Sequence, residues 1–245
     1  MHRSYCPHAD LTQKTITITD GREVHHIKDV LRLKAGDEMR VFNGRGQEAQ
    51  AVITSVKEGQ VRADVELFLS AEAVTGPRII LACAVPKKAK FEFIIEKCTE
   101  LGVDEIIPLK TKRTEVIFSK DKLQSKQERF QKVAVNAAKQ CGRLDVPKIH
   151  PMTALADVLK SRNPKGMAII PSLNGKPKHI REVLTGAKPA GEIMVFIGPE
   201  GDFTPDEVQA AMDAGCLPVS LGETVLKVDT AAITTVALCK FLLYN

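Results

Sequence analysis

"IGPEGDFTPDEV", Ile197 to Val208, is the stretch on which the fold of this 245-residue chain turns. The apolar run leading into it, "EIMVFIG" (192–198), reads as a strand buried on both faces. Gly198 and Gly201 free the backbone for a sharp loop. Thr204 then suits an N-cap, Pro205 the first helical position and Glu207 the third, a capping box. A buried strand, a glycine-bearing loop and a capped helix in succession belong to a parallel βα unit. Such a loop lies at the carboxyl end of the sheet, where open α/β sheets take ligands.

The same alternation extends outward. "IILACAV" (79–85) is a second continuous apolar run. Phe91, Ile94, Ile95, Cys98 and Leu101 follow at helical spacing, closed by Gly102. "VDEIIPL" (103–109) returns to strand, and a long helix fits 122–141. "GMAII" (166–170) and "LPVSLG" (217–222) are further buried strands. Residues 76–245 therefore predict an α/β domain with a mostly parallel sheet. Residues 1–75 have another texture. "DEMRVFN" (37–43), "EAQAVITSV" (48–56) and "VRADVELFL" (61–69) are β-branched or alternating, with turns at "GRG" and "KEGQ". His25 to Leu33 reads as a short helix ended by "KAGD". A small barrel or curled sheet is expected there.

Hydrophobic content of 44% and charged content of 27% are ordinary for a globular protein. No apolar run has the length to span a bilayer, and "MHRSYCPHADLTQ" lacks the apolar core of a signal peptide, which predicts a cytoplasmic protein. The 6 cysteines form no CxxC pair and the 6 histidines show no metal spacing. Reduced thiols and no metal site are expected. The net charge of +5 is uneven: residues 76–150 carry 16 basic against 9 acidic side chains, residues 1–75 carry 10 against 11. A concentrated basic region suggests a polyanion such as nucleic acid, with a solvated lysine-rich face as the competing reading.

The 197–208 loop is neither a GxGxxG pattern nor a P-loop. Glu200 and Asp202 would repel a phosphate there, so a neutral or cationic group suits it better. Capping alone accounts for several of its residues, which leaves a purely structural turn as the alternative. "LGETVLKVDTAA" (221–232) also follows a strand. Val225 and Leu226 offer apolar contacts for a flat heterocycle, Lys227 and Asp229 offer charge, and Thr230 is placed to cap the last helix. In "AAKQCGR" (137–143), Gln140 suits a base edge or a neighbouring helix. Arg143 suits a phosphate or the last carbonyls of the helix.

These motifs, with "HHIKDVLRLKAGDEMRVFNGRG" and "CTELGVDEIIPLKTKRT", occur in one order over nearly the whole chain. The chain resembles the bacterial 16S ribosomal RNA uracil-N3 methyltransferase family of the SPOUT superfamily. The resemblance implies a PUA-like RNA-binding β-barrel over 1–75. It implies a methyltransferase domain with a deep trefoil knot over 76–245, which binds S-adenosylmethionine and forms a homodimer. By matching position the cofactor would contact Gly198, Pro199, Glu200, Gly201, Leu221, Gly222, Val225, Leu226 and Thr230. Lys227 would stabilise charge on the uracil, Asp229 would orient Lys227 or the base or take the proton, and Arg3 would help hold RNA. Arg32, Lys87, Lys88, Lys90, Lys112, Arg113, Gln140 and Arg143 are the candidate RNA contacts. Where relatives read GPEGG and LGxRILRTETA, this chain has Asp202, Thr224, Lys227 and Asp229 in place of the last Gly, the two Arg and the Glu. The alternatives are an enzyme that binds a nucleotide phosphate in the Gly loop, which Glu200 and Asp202 oppose, and a non-catalytic RNA-binding or ribosome-assembly factor that keeps the fold.

Overall fold

The computed structural model describes residues 2–71, 76–87, 90–116, 120–172, 177–186, 189 and 191–244. Contacts divide the chain into two compact units. One is Met1–Val74 with Ala138–Val146, and the other is Thr75–Ala137 with Pro147–Asn245. The cut near residue 75 expected from texture thus needs an addition, because the stretch from Ala138 groups with the first unit.

The first unit is built on β1 (His2–Tyr5), β2 (Thr15–Ile18), β3 (Glu38–Phe42), β4 (Gln47–Lys57) and β5 (Gln60–Ser70), in the order β1-β3-β4-β5-β2. β1 runs parallel to β3 and the other pairings are antiparallel. Alternate residues point to one core: Ile16 and Ile18, Met39 and Val41, Ala49, Ala51 and Ile53, Val61 and Ala63. Helix α1 (Gly21–His25) starts earlier than the pattern of apolar residues suggests, because the Asp20 carboxylate accepts from the backbone N–H groups of Arg22 and Glu23. It continues as a π-helical turn, His26–Val30, so the helix read over 25–33 is really one that begins at Gly21. Arg32 follows with φ of 55° and an exposed side chain.

The second unit contains, in chain order, β6 (Arg78–Ala84), α2 (Lys90–Glu100), β7 (Glu105–Lys110), α3 (Lys120–Cys141, apart from its end from Ala138 onward), β8 (Lys148–Ile149), β9 (Thr153–Ala154), α4 (Leu155–Ser161), β10 (Met167–Pro171), β11 (Lys178–His179), α5 (Ile180–Thr185), β12 (Glu192–Ile197), α6 (Pro205–Asp213), β13 (Leu217–Ser220) and α7 (Val228–Leu243). The sheet order is β11-β13-β10-β12-β6-β7-β8, with β9 also on β7, and every described pairing is parallel. Ile80, Ala82, Ala84, Met194 and Phe196 pack with Leu155 and Val158 of α4 and with Val208 and Ala211 of α6. The intervening Ile79, Leu81, Cys83, Ile193 and Val195 are fully buried and point to the opposite face. Helix α7 lies against β6 and β12, with α2 and α5 as neighbours. Burial on both faces is what makes these strands continuous apolar runs. β12 lies between β6 and β10 although both precede it in the chain.

Five of the six cysteines are buried, and desolvation pushes the thiols of Cys6 and Cys239 up to about 12. These two stay protonated and unreactive at neutral pH. No described helix is long and apolar enough to cross a membrane.

Arg3 has a role in the first unit that spacing could not reveal. Its Nε donates to Glu48 at 2.7 Å, Nη1 to the Ala138 carbonyl at 2.9 Å and Nη2 to the Arg143 carbonyl at 3.0 Å. Its guanidinium sits 4.5 Å from the centre of the Phe42 ring. Arg3 therefore satisfies the last carbonyls of α3, while Arg143 pairs with Asp145. With 10% of its side chain exposed, Arg3 is a clamp within its own unit rather than a group held out to RNA. Glu48 is 3% exposed, and Arg40 at 3.4 Å is its other cation. Arg3→Ala should destabilise the first unit by about 2–4 kcal/mol, since it leaves the buried Glu48 carboxylate with the more distant Arg40 alone. Urea unfolding followed on that unit should show a lower midpoint with an unchanged slope.

Candidate functional site

Because the strands are parallel, their carboxyl ends share one edge of the sheet. The segments leaving that edge enclose a cleft of about 350 Å³. Pro86 comes from the β6–α2 connection and Lys90 from the start of α2, and Pro171 and Ser172 from the end of β10. Gly198, Pro199, Glu200 and Asp202 follow β12, and Leu221, Gly222 and Thr224 to Val228 follow β13. The volume suits a small organic ligand. Pro86, Pro171, Ile197, Leu221 and Leu226 give apolar walls. Glu200 and Asp202 bring carboxylates, and Lys90 and Lys227 bring ammonium groups. Val225 lines the cleft with 74% of its surface exposed, a large apolar side chain without cover.

Local sequence explains the β12–α6 loop. Asp202 N–H donates to the Pro199 carbonyl at 2.9 Å, closing a tight turn. A Cβ on Gly198 would lie 3.1 Å from the Phe203 ring, so the loop fits closely only with glycine there. Thr204 and Glu207 form the expected capping box, each accepting from the other's backbone N–H. Glu207 is 8% exposed, and its second oxygen accepts from Lys112 N–H at 2.7 Å. Arg113 Nη1 donates to the Gly201 carbonyl at 2.5 Å, and Lys87 N–H donates to Glu200 Oε1 at 3.0 Å. Asp202 has φ of 60°. Aspartate tolerates that left-handed conformation better than most residues, and here its Oδ1 accepts from Phe203 N–H at 2.8 Å.

Of the nine candidate cofactor contacts, Gly198, Pro199, Glu200, Leu221, Gly222, Val225 and Leu226 line the cleft, while Gly201 and Thr230 do not. Gly201 turns its carbonyl to Arg113. Thr230 is not a cap: α7 starts at Val228 with Lys227 at the N-cap, which puts Thr230 inside the first turn. Lys227 is exposed and has no ion-pair partner among the described residues. Asp229 is paired with Lys90, Nζ to Oδ2 3.7 Å, not with Lys227. Its other oxygen, Oδ1, is buried without a hydrogen-bond partner among the described residues. Pro86, Lys90, Pro171 and Ser172 were not foreseen in the cleft, although each follows or ends an apolar run, the signal that located the other two loops.

The candidate RNA contacts are scattered in role. Lys87 pairs with Glu115 at 2.6 Å and Lys112 with Asp206 at 3.0 Å, all exposed side chains. Arg32 and Gln140 are exposed, and Arg143 is 13% exposed beside Asp145. Lys88 lies outside the described residues. Among the described residues no cluster of three or more His, Cys, Asp or Glu side chains is placed to hold a metal ion.

A parallel sheet with an apolar cleft that carries both carboxylates and ammonium groups at its carboxyl edge, in a chain that also carries a separate β unit, defines a small-molecule-binding α/β protein with an accessory domain. Comparison with known families narrows this. The family model described as an RNA methyltransferase domain matches residues 75–240, and that described as an RNA methyltransferase PUA domain matches residues 18–66. Ribosomal RNA small subunit methyltransferase E of Synechocystis sp. is 32% identical over 93% of this chain and 73% of its own length. The Bacillus subtilis protein of the same name is 28% identical over 89% of this chain and 87% of its own. A crystal structure of ribosomal RNA small subunit methyltransferase E from Neisseria gonorrhoeae, bound to S-adenosyl methionine, is 26% identical with a TM-score of 0.89, covering 99% of this chain and 98% of that one. The chain belongs to the RNA methyltransferase family.

The Asp202 backbone yields a direct check. Asp202→Gly should fold with stability within about 1 kcal/mol of the parent, because glycine adopts positive φ freely. Asp202→Val should lose about 1–3 kcal/mol, because a β-branched side chain is strained there. Thermal unfolding of the two variants measures the difference.

Proposed function

We propose that this protein is an S-adenosylmethionine-dependent methyltransferase acting on N3 of a uridine in 16S ribosomal RNA of the small subunit. The observation that carries this reading is the cleft: seven of the nine positions matched to cofactor contacts converge on one ligand-sized space. The lining fits the cofactor. Apolar Leu221, Val225 and Leu226 suit an adenine ring, and two carboxylates, Glu200 and Asp202, suit a ligand that carries a sulfonium and an ammonium. When bound, S-adenosylmethionine supplies an electrophilic methyl group.

The chain's own residues would do the rest. As uracil N3 gives up its proton to water, negative charge spreads over the two carbonyl oxygens. Lys227, exposed at the cleft with no counter-ion among the described residues, is suited to meet that charge. It stands where relatives carry Arg, and a single ammonium gives up the bidentate fork but keeps the charge. Asp229, at the start of α7, is suited to hold a cation or the base in place. Lys87, Lys112 and Arg113 form the basic approach for phosphates. Their carboxylate partners Glu115 and Asp206 are exposed, and such pairs contribute only about 0–1 kcal/mol, so a phosphate can replace them.

In this reading residues 1–75 act as a PUA-like RNA-binding barrel, and residues 76–245 bind the cofactor, catalyse and dimerise. The sheet order supports a trefoil knot in the second unit, since β12 enters between two earlier strands and α7 then returns against β6 and β12. Phe93 of α2, 47% exposed, and Phe241 of α7, 75% exposed, support a homodimer built on these neighbouring helices.

Mass mapping of ribosomal RNA from a deletion strain should show loss of one 3-methyluridine, restored by the wild-type gene. Lys227→Ala should lower turnover by about 100-fold or more while calorimetry shows S-adenosylmethionine still bound. A wild-type protein that binds no S-adenosylmethionine would defeat the proposal. Phe241→Glu should convert a dimer to a monomer in analytical ultracentrifugation.

A further inference from the structure

Lys90 sits in a basic run with Lys87 and Lys88, and by sequence it reads as one more phosphate contact. The structure separates it from Lys87. Lys87 is exposed and paired with Glu115, whereas Lys90 opens α2 and lines the cleft. Its Nζ lies 3.7 Å from Asp229 Oδ2, near enough for strong attraction yet beyond hydrogen-bond reach. Its three donors are therefore available to a ligand in the cleft. Asp229 depends on this cation in turn, because its Oδ1 is buried with no partner among the described residues. A largely buried carboxylate needs a nearby positive charge, so each group fixes the other.

We propose that Lys90 is a catalytic residue of the methyl-transfer site. It presents its ammonium to a uracil carbonyl oxygen, with Asp229 as the carboxylate that positions it. This rests on the uridine methyltransferase reading above. Lys227 and Lys90 reach the cleft from the β13 side and the β6 side. Deprotonated uracil spreads its charge over two carbonyl oxygens flanking N3, which two cations can meet together. Cytosine offers an amino donor in place of one oxygen and would face a cation with the wrong polarity. The pair thus also selects the base.

The test separates a charge in the active site from a phosphate contact. Steady-state kinetics on a ribosomal RNA substrate, calorimetric titration with S-adenosylmethionine and the salt dependence of RNA binding are measured for Lys90→Met, Lys90→Arg and Asp229→Asn. Lys90→Met should lower kcat by about 100-fold, with cofactor affinity within about twofold and an unchanged salt slope. Lys90→Arg should recover part of kcat. Asp229→Asn should also lower kcat, and the double variant should be little worse than Lys90→Met alone, as expected for residues acting as a unit. Normal kcat in Lys90→Met, with a raised KM for RNA and a salt slope smaller by about one, would make Lys90 a phosphate contact and overturn the proposal. Loss of cofactor binding in Lys90→Met would overturn it too. A wild-type protein without methyl transfer would instead refute the underlying function.

Discussion

The parallel alignment of the larger sheet is the constraint from which the site follows. A parallel strand cannot turn straight back, so each must be followed by a crossover, and every crossover leaves from the same edge. Loops distant in sequence, after β6, β10, β12 and β13, are thereby brought to one place. Their positions are held by strands packed on both faces, with Ile80, Ala82 and Phe196 toward α4 and α6 and Leu81, Cys83 and Val195 opposite. No loop has to be rigid by itself, because the strand ends that carry it are fixed by the core. The cleft is a product of strand direction first and of side-chain chemistry second.

Charge then fastens the edge. The loop after β7 reaches across to its neighbour through Lys112 N–H on Glu207 and Arg113 on the Gly201 carbonyl. The loop after β6 does the same through Lys87 N–H on Glu200. Several cations in the middle of the chain also have carboxylate partners inside the protein: Lys90 with Asp229, Arg129 with Glu92, Arg143 with Asp145. A tally of lysines and arginines locates a basic region, but it does not distinguish a cation facing solvent from one that organises a ligand loop.

What sequence could reveal divides along the range of the interactions. The strands at 79–85 and 192–198 and the Thr204–Glu207 capping box were legible because periodicity and capping act over a few residues. β1 was missed, and β2 with it, although the alternation of Ile16 and Ile18 in "TITI" was a usable signal. The two-residue strands β8, β9 and β11 are too short to leave a pattern. The start of α7 was misplaced because Lys227 is a cap without a side-chain hydrogen bond. Arg3 with the Ala138 carbonyl, and Lys90 with Asp229, were out of reach for another reason. Each joins residues more than a hundred positions apart, and only the fold decides that they meet.

The place of β12 has a consequence for how the chain reaches its native state. β6 and β10 are both made before it, yet neither can complete its hydrogen bonding until β12 slots between them. At a synthesis rate of about 5–20 residues per second, the edge of β6 waits on the order of ten seconds for its partner. During that time Ile79 to Cys83 form an apolar edge open to wrong pairing, the hazard that unpaired strands carry. Pairing of β12 with β6 joins residues far apart in sequence, and such long-range pairing slows folding. The segment that fills the gap between β6 and β10 also delivers Gly198 to Asp202. The cleft needs both this loop and the later segment after β13, so a nascent chain cannot present the whole ligand site before both are made.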